Sequence, residues 1–431
     1  MSLGDKMKIL KLGSRGTDVY ILQLTLNRAG YLNEEPDGIF GTRTQNAVLR
    51  FQGDNNLKQD GIVGVRTWNA LLPYLKGYIV HKVQRGDTLW KISQEHNTSV
   101  SAIIRANPTI NPDNLQIGST VIVPLNFSVV PTNVPYTYQL LTFILEGLEV
   151  RYPFLIGGAI GKSVMGKNIP VVKIGNGETE LFYNASHHAN EWITTPVLLK
   201  FLEEYAESYI SGVEIFNTNA KKLYNKASLY IVPMVNPDGV DLVNGVVPNG
   251  NFLDRAIRLS QNYPNIPYPN GWKANINGVD LNLQYPANWE KAKEIKFSQG
   301  FTMPGPRDYV GTAPLTEPEA RAVFAFTRNH NFKLTLSYHS QGEVIYWKYL
   351  NYEPENSRRI AEYFGAVSGY AVEETPYASG FAGYKDWFIE TYNRPGYTIE
   401  VGVGMSPLPL SQFTQIYNDN IGILVGGITE I

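Results

Sequence analysis

Residues 181–193 of the 431-residue chain read LFYNASHHANEWI, a short apolar run that leads directly into two histidines and a glutamate. The run over 181–185 has the length and residue types of a buried strand. Open α/β sheets place their functional sites at the carboxyl ends of their strands. His187, His188 and Glu191 therefore mark a candidate site at the end of a predicted strand.

Strand and helix patterns alternate on both sides of this segment, over about residues 136–431. Apolar runs rich in β-branched residues predict strands, whereas apolar residues spaced three and four apart predict helices. The predicted strands are 170–174, 181–185, 229–235, 334–338 and 397–401, and the predicted helices include 195–210, 318–330 and 356–369. The alternation predicts one α/β domain with a mixed central sheet flanked by helices.

A different pattern occupies about residues 8–74, where one motif occurs twice. Residues 37–44 read DGIFGTRT and residues 60–67 read DGIVGVRT. Each Asp-Gly pair is a turn signal, and the threonines that follow can begin a helix. Apolar residues at helical spacing lie before and between the two copies. This region is therefore predicted to be a small helical bundle.

The segment of about residues 78–124 has a more definite order of elements. A strand pattern opens it at 78–83, two short helical patterns follow, and a strand pattern closes it at 120–124, which predicts the order βααβ. Residues 125–135 read LNFSVVPTNVP, with two prolines and no clear periodicity. They are predicted to be a linker.

Composition limits the classes of partner and of site. The 37 Lys and Arg nearly balance the 39 Asp and Glu, so there is no electrostatic basis for binding nucleic acid or anionic lipid. The chain has no cysteine, so His and carboxylates must hold any metal. The first residues lack an apolar core of signal-peptide length, and no stretch approaches the ~20 apolar residues of a membrane span. We expect no membrane span, and no signal peptide is visible.

His339 follows the predicted strand 334–338 and so falls at the same kind of strand end as His188 and Glu191. A catalytic zinc takes three protein ligands and keeps one position open, and two His with one Glu form a known set. However, His-x-x-Glu is common by chance, and a histidine at a strand end is often a hydrogen-bonded structural residue. From these residues alone both interpretations stay open.

Five stretches of the chain together resemble the zinc carboxypeptidase family, the carboxypeptidase A-like metallopeptidases. They are HANEWI at 188–193, VNPDG at 235–239, GVDLN at 278–282, SYHS at 337–340 and YTIEV at 397–401. The resemblance covers essentially all of residues 136–431. It implies a zinc metallopeptidase domain with one zinc ion held by His188, Glu191 and His339.

The same resemblance implies roles for further residues. Glu400 is expected to be the general base that takes a proton from zinc-activated water and passes it to the leaving amine. Lys273 stands where the family usually has an arginine that stabilises the oxyanion, and a lysine can do this as a point charge. The alternatives are a structural salt bridge for Glu400 and a solvated surface charge for Lys273. His187 is expected to support its neighbour, and Arg307 and Arg394 are candidates to meet an acidic group of the substrate.

Four residues are predicted to bind substrate: Asn282, Tyr377, Lys385 and Asn190. Exopeptidases of the family grip a terminal carboxylate with an Asn-Arg pair, but Asn282 is followed by Leu283, which cannot pair with a carboxylate. Asn190 replaces a further arginine of that clamp. Tyr377 lies near the family's mobile tyrosine with an offset of one residue, and Lys385 falls at the specificity-pocket position. The usual clamp for a terminal carboxylate is therefore largely absent.

The two N-terminal regions also resemble known modules. Residues 8–74 resemble the peptidoglycan-binding helical domain of wall hydrolases, through the paired turns and the run QLTL at 23–26. Residues 78–124 resemble the LysM domain, a carbohydrate-binding module, through VQRGDTLWKI at 83–92 and LQIG at 115–118. Both resemblances imply binding to peptidoglycan glycan, which raises the effective concentration of an attached catalytic domain at the polymer.

The altered clamp and the two wall modules together resemble the γ-D-glutamyl-diamino acid endopeptidases. We therefore predict hydrolysis of peptidoglycan stem peptides at the amide bond between D-glutamate and meso-diaminopimelate or L-lysine. Two alternatives are a metallocarboxypeptidase that trims C-terminal residues of wall peptides and a non-catalytic wall-binding protein. The predicted location is the bacterial cell wall, as a wall-associated, secreted or spore-associated protein.

Overall fold

The computed structural model describes residues 7–431. Residues 1–6, the start of the segment in which a signal peptide was sought, lie outside the described residues. The chain divides into two units. The first contains the residues up to 135 together with 139–156, and the second contains 136–138 together with 157–431.

Three helices form the N-terminal part of the first unit: α1 (Thr17–Arg28), α2 (Thr42–Asp54) and α3 (Val65–Lys76). The duplicated motif leads into α2 and α3, and a buried glutamine holds each copy. The Gln23 side-chain amide donates to Thr44 Oγ1, and that of Gln52 donates to Thr67 Oγ1, each at 3.2 Å. These two threonines therefore lie inside the first turns of the helices as buried hydrogen-bond partners.

The predicted βααβ order of the next segment is confirmed. Its elements are β1 (Tyr78–Lys82), α4 (Leu89–Glu95), α5 (Val100–Ala106) and β2 (Thr120–Pro124), with β1 and β2 antiparallel. Thr88 and Ser99 cap the two helices, because their side-chain oxygens accept from the backbone N–H groups of Lys91 at 3.1 Å and Ala102 at 3.0 Å. A small apolar core lies between helices and strands.

The helix α6 (Tyr138–Arg151) falls largely in the first unit, although we predicted that the peptidase domain begins at residue 136. Polar contacts hold it there. Lys76 Nζ lies 2.7 Å from Glu146 Oε1, and the Arg151 guanidinium donates to the carbonyl oxygens of Gly77 at 3.1 Å and Leu125 at 2.7 Å. These contacts join α6 to residues that precede it, and the boundary at residue 136 stays a prediction.

The second unit contains all the remaining strands, and eight of them form one mixed sheet. The strands are β3 (Ile156–Lys162), β4 (Asn168–Ile174), β5 (Thr179–Ala185), β6 (Glu214–Ile215), β7 (Thr218–Asn219), β8 (Ala227–Val232), β9 (Leu334–His339), β10 (Val344–Tyr346), β11 (Ala371–Glu373) and β12 (Gly396–Glu400). The order in the sheet is β11-β10-β12-β9-β5-β8-β4-β3, and β6 pairs with β7 separately.

The centre of this sheet is parallel and buried. The strands β8, β5, β9 and β12 run parallel to one another, whereas β4 and β10 are antiparallel to their neighbours β8 and β12. Every residue of β9 is buried. Strands covered on both faces are predominantly apolar, which is why the central strands were recognisable in the sequence.

Helices flank the sheet, so the predicted fold class is confirmed. They are α7 (Thr194–Ser211), α8 (Ala220–Lys226), α9 (Pro237–Val243), α10 (Asn251–Ser260), α11 (Trp289–Ser298), α12 (Pro318–Arg328), α13 (Ser357–Ser368), α14 (Tyr384–Tyr392) and α15 (Phe413–Thr429). Helices α7 and α15 contact β5 and β9 respectively, and α14 contacts β12. No helix within residues 7–431 has the length and apolar character needed to cross a membrane.

Candidate active site

Three parallel strands end side by side and carry the predicted catalytic residues at one edge of the sheet. Strand β5 leads through a short loop to His188 and Glu191, β9 ends at His339, and β12 ends at Glu400. The register of β9 and β12 places His339 directly opposite Glu400. Parallel pairing thus brings together residues that are far apart in the sequence.

The side chains of His188, Glu191 and His339 converge, and we call them the buried donor group. His188 Nδ1 lies 2.8 Å from Glu191 Oε1, His339 Nδ1 lies 3.0 Å from Glu191 Oε2, and the two Nδ1 atoms are 3.1 Å apart. All three residues are buried.

The chemistry of this donor set fits a zinc ion. Two imidazole nitrogens and a carboxylate that face one another present lone pairs to a common point, where a cation can satisfy all of them. Two histidines with one glutamate, without thiolates, form a set that zinc accepts while keeping a position open for substrate.

Asp280 supports the buried donor group from outside it. Its Oδ1 lies 3.2 Å from His188 Nε2, so the carboxylate can hold the imidazole in the tautomer that leaves Nδ1 free. Burial opposes ionisation of Asp280, but the hydrogen bond and charge of His188 and the charge of Lys273 outweigh it and keep the pKa of this carboxyl well below its ordinary value. Asp280 was not among the predicted site residues, although it lies inside the GVDLN motif at 278–282.

Glu400 lines the same cavity as His188 and Lys273. Burial, and then the neighbouring Glu191 carboxylate, raise the pKa of Glu400 to about 8. A carboxyl group with such a pKa can hold a proton near neutral pH, which suits a group that exchanges protons during a reaction.

Lys273 lies against the buried donor group. Its Nζ is 3.6 Å from Glu191 Oε1, and its side chain is only 20% exposed, so Lys273 is not a solvated surface charge. Burial opposes the charged form, but Glu191 and then Asp280 outweigh it and raise the pKa of Lys273 above its ordinary value. The Lys273 carbonyl accepts from the N–H of Ala189 at 2.9 Å, which fixes this segment beside the loop of the ligands.

Two cavities open beside the buried donor group. The first, of about 180 Å³, is lined by His188, Lys273, Asp280, Asn282, Leu283, Lys296, Asp308, Tyr346, Thr375, Pro376, Ser379, Gly383, Lys385, Asp386, Thr398 and Glu400. The second, of about 610 Å³, is lined by Asn190, Glu191, Asn265, Ile266, Pro267, Asn270, Gly271, Lys273, Arg307, Ser340, Gln341, Met405 and Ser406.

Three of the four predicted substrate-binding residues line one of the two cavities. Asn282 and Lys385 line the first cavity, and Asn190 lines the second. The Tyr377 side chain is 64% exposed and is not among the residues that line either cavity, although its neighbours Pro376 and Ser379 are. Tyr377 is therefore the one member of this set that the structure does not bring to the site.

Charged side chains form part of the wall of the first cavity. Lys385 Nζ lies 2.7 Å from Asp386 Oδ1 and donates to the Lys348 carbonyl at 2.8 Å. A second ion pair joins Lys296 Nζ to Asp308 Oδ1 at 2.7 Å. These two ion pairs give the first cavity a polar wall.

Leu283 adds an apolar surface to the same cavity. It is 7% exposed and belongs to the main hydrophobic core of the second unit. Its neighbour Asn282 accepts from the Tyr384 N–H at 3.0 Å.

Of the two arginines predicted to meet an acidic group of the substrate, Arg307 lines the second cavity. Arg394 donates to the Phe332 carbonyl at 2.6 Å and lines neither cavity.

His187 lies outside the buried donor group and packs beside it. Its Nε2 is 3.0 Å from the Tyr285 hydroxyl, and its ring stacks on that of His339 with centroids 5.9 Å apart. The Asn236 side-chain amide donates to the His187 carbonyl at 3.1 Å. These contacts position the His339 ring and agree with the expectation that His187 supports the ligands.

Three family models match the chain. The model described as zinc carboxypeptidase matches residues 142–422. A peptidoglycan binding domain matches residues 15–71, and the LysM domain matches residues 81–124.

The chain is also similar to individual proteins. Gamma-D-glutamyl-L-diamino acid endopeptidase 1 of Lysinibacillus sphaericus is 44% identical over 399 residues, which cover 80% of this chain and 98% of that protein. Carboxypeptidase B of Bos taurus is 26% identical over 275 residues, covering 59% of this chain and 60% of that protein. The crystal structure of thrombin activatable fibrinolysis inhibitor aligns with a TM-score of 0.53 at 16% identity, covers 82% of this chain and 98% of that one, and shows a shared fold.

Proposed function

The chain belongs to the zinc carboxypeptidase family and is a zinc metallopeptidase, and from that premise we propose which bond it cuts. The proposed reaction is hydrolysis of the amide bond between the γ-carboxyl group of D-glutamate and the L-centre of a diamino acid in peptidoglycan stem peptides. The diamino acid is meso-diaminopimelate or L-lysine. The relative from Lysinibacillus sphaericus is named for this activity, which supports the proposal.

The observation that carries the proposal is Leu283 on the wall of the first cavity. An exopeptidase must grip the free carboxylate at the end of its substrate, and a guanidinium does this with two parallel hydrogen bonds. Leu283 offers no such bond beside Asn282, and Asn190 is an amide on the wall of the second cavity. A site built this way suits a peptide that continues past the cleaved bond.

The residues of the site divide the chemistry between them. His188, Glu191 and His339 would hold the zinc ion, which when bound polarises the scissile carbonyl and makes water more acidic. Glu400 takes a proton from the attacking water and delivers it to the leaving amine. Lys273 donates a hydrogen bond to the oxygen on which negative charge develops.

The two cavities suit the two sides of the proposed bond. The acyl side of the substrate carries the free α-carboxylate of D-glutamate, and Arg307 on the second cavity can pair with it. The diamino acid occupies the first cavity, where Lys385 meets an acidic group and Asn282 positions the backbone. In this arrangement Asn190 contacts the D-glutamyl side.

The N-terminal modules associate the chain with the cell wall, because a peptidoglycan binding domain and a LysM domain both bind wall glycan. We propose that this binding holds the peptidase at the polymer whose stem peptides it cuts, since a tethered enzyme works at a raised effective concentration of substrate. Secretion or a place in the spore is part of the same proposal.

Defined muropeptides test the reaction, in the presence and absence of a chelator, with the products read by mass spectrometry. We expect release of L-Ala-γ-D-Glu and of a fragment that begins with the diamino acid, and we expect the chelator to abolish it. Cleavage only at a terminal D-Ala would instead identify a carboxypeptidase. A protein that binds the muropeptides and cuts none of them would be the non-catalytic alternative.

A further inference from the structure

A second group of metal-ligating side chains lies in the first unit, within the βααβ segment. His81 is on β1, Glu95 is the last residue of α4, and His96 follows it. One donor atom of each lies within 4.8 Å of those of the other two. We propose that these three residues, the surface donor group, bind a divalent metal ion of the zinc class that is separate from the ion of the peptidase site.

Asp87 orients the first of these ligands. Its Oδ2 lies 2.9 Å from His81 Nε2 and also accepts from the backbone N–H of Gln84 at 2.7 Å. A carboxylate that holds one imidazole nitrogen fixes the ring and leaves the lone pair of the other nitrogen for a cation. His188 and Asp280 form a pair of the same kind in the peptidase site.

His96 supplies an independent observation. Its Nε2 is buried and has no hydrogen-bond partner among the described residues, although its ring packs edge-on against that of His81 with centroids 5.7 Å apart. Buried polar atoms without a partner are rare, and each requires an explanation. Glu95 Oε1 is 3.9 Å from this nitrogen, which is too far for a hydrogen bond but close enough for both atoms to bind one ion.

The surroundings suit metal binding with one or more waters. Two imidazoles and one carboxylate are ligands that Zn²⁺, Ni²⁺ and Cu²⁺ accept, whereas Ca²⁺ and Mg²⁺ prefer oxygen alone. The Glu95 side chain is 63% exposed, so an ion can enter from solvent. An ion at this place would join the C-terminal end of α4 to β1 and stabilise the packing of this segment.

The number of zinc ions per chain tests the proposal directly. The full chain is stripped with a chelator, supplied with a small excess of Zn²⁺, separated from free metal and analysed for metal content. We expect two equivalents in the wild type and one in His96→Gln, with hydrolysis of a soluble stem peptide unchanged in the variant. His330→Gln is the matched control, because His330 is a half-buried histidine outside both donor groups, and it should keep two equivalents.

A second measurement separates loss of metal from loss of folding. In a Glu191→Gln chain, whose peptidase site is disabled, added Zn²⁺ should raise the unfolding temperature of the first unit. The rise should disappear when His81→Gln or His96→Gln is added, while circular dichroism without metal stays unchanged. The proposal would be overturned if the wild type bound a single equivalent of zinc. It would also be overturned if His81→Gln and His96→Gln both kept the second equivalent. The proposed peptidase function is unaffected in either case, because no residue of the surface donor group takes part in it.

Discussion

The buried donor group and the surface donor group contain the same ligands, two histidines and one glutamate, and both pair a histidine with an aspartate. Their surroundings differ. The atoms of the buried donor group lie 2.8–3.1 Å apart at the end of a parallel sheet, whereas in the surface donor group, at the end of a short helix, Glu95 Oε1 lies 3.9 Å from His96 Nε2. The first group adjoins two cavities, and the second is partly exposed to solvent.

The two groups also differ in the charged side chains that surround them. The buried donor group has Glu400 and Lys273 beside it on the wall of the first cavity, where the proposed reaction needs a proton acceptor and a cation. Beside the surface donor group, the carboxylate of Asp87 orients His81. We therefore assign catalysis to one group and stabilisation of a small module to the other.

The largest effect is expected when the proposed proton acceptor beside the buried donor group, Glu400, is removed. Glu400→Gln keeps the shape of the side chain but cannot take a proton, so kcat/KM for a stem peptide should fall about 10²–10⁴-fold. Zinc content should stay the same, since Glu400 is not a ligand in this account. Steady-state kinetics and metal analysis on one preparation measure both quantities.

Glu95→Gln is the matched change in the surface donor group. It should leave kcat/KM unchanged and remove one equivalent of zinc. If Glu400→Gln lost metal instead of turnover, Glu400 would be a ligand or a structural residue, and the contrast between the two groups would fail.

A smaller effect is expected from the aspartates that orient a histidine. Asp280→Asn should weaken zinc binding in the peptidase site about 10–100-fold, because an amide no longer holds His188 in its ligating tautomer. Asp87→Asn should weaken only the surface donor group and spare activity. Competition with a chromophoric chelator gives both affinities, and equal losses of activity in the two variants would contradict the assignment.

The wall of the first cavity offers a change in specificity. Leu283→Arg should raise kcat/KM about tenfold for peptides with a free C-terminal carboxylate, since a charge-assisted hydrogen bond contributes about 1.5 kcal/mol. Leu283→Met is the control for disturbing the core, and it should keep the wild-type preference. A Leu283→Arg chain that is folded by circular dichroism yet unchanged in preference would speak against the role given to Leu283.

The smallest effect concerns α4, which ends at the surface ligand Glu95. Thr88→Ala removes the cap of α4 and should lower the free energy of unfolding of the first unit by about 1 kcal/mol. Peptidase activity should be unchanged, because Thr88 lies outside the second unit. Denaturant unfolding monitored by circular dichroism, with Ser99→Ala as the matched cap of α5, provides the comparison.

The elements recognisable in the sequence are those whose burial leaves a clear pattern. Strands β5, β9 and β12 are apolar runs because both faces of the central sheet are covered. Strand β3 was not predicted, because it reads IGGAIGK and is largely exposed, so it shows no apolar pattern. Strands β10 and β11 have three residues each, too few to show a period.

The residues of the site were also predictable only where a recognisable motif surrounds them. His188, Glu191 and His339 could be named because motifs surround them, and the structure brings them together. The contact of Asp280 with His188 joins residues 92 positions apart, and no local spacing predicts it. Tyr377 was predicted because it lies near the position of the family's mobile tyrosine. The exposure of its side chain, however, depends on the path of the loop. The roles of Glu400, Lys273 and the substrate-binding residues stay predictions until variants are assayed.

Digestion of the tetrapeptide L-Ala-γ-D-Glu-meso-diaminopimelate-D-Ala, with its C-terminal carboxylate either free or amidated, distinguishes the proposed endopeptidase from a carboxypeptidase. Because Leu283 cannot grip a terminal carboxylate, we predict that both forms yield L-Ala-γ-D-Glu at similar rates, together with the diaminopimelate-D-Ala fragment in its matching form. Release of D-Ala from the free peptide, with no cleavage of the amidated one, would contradict the account and identify a carboxypeptidase.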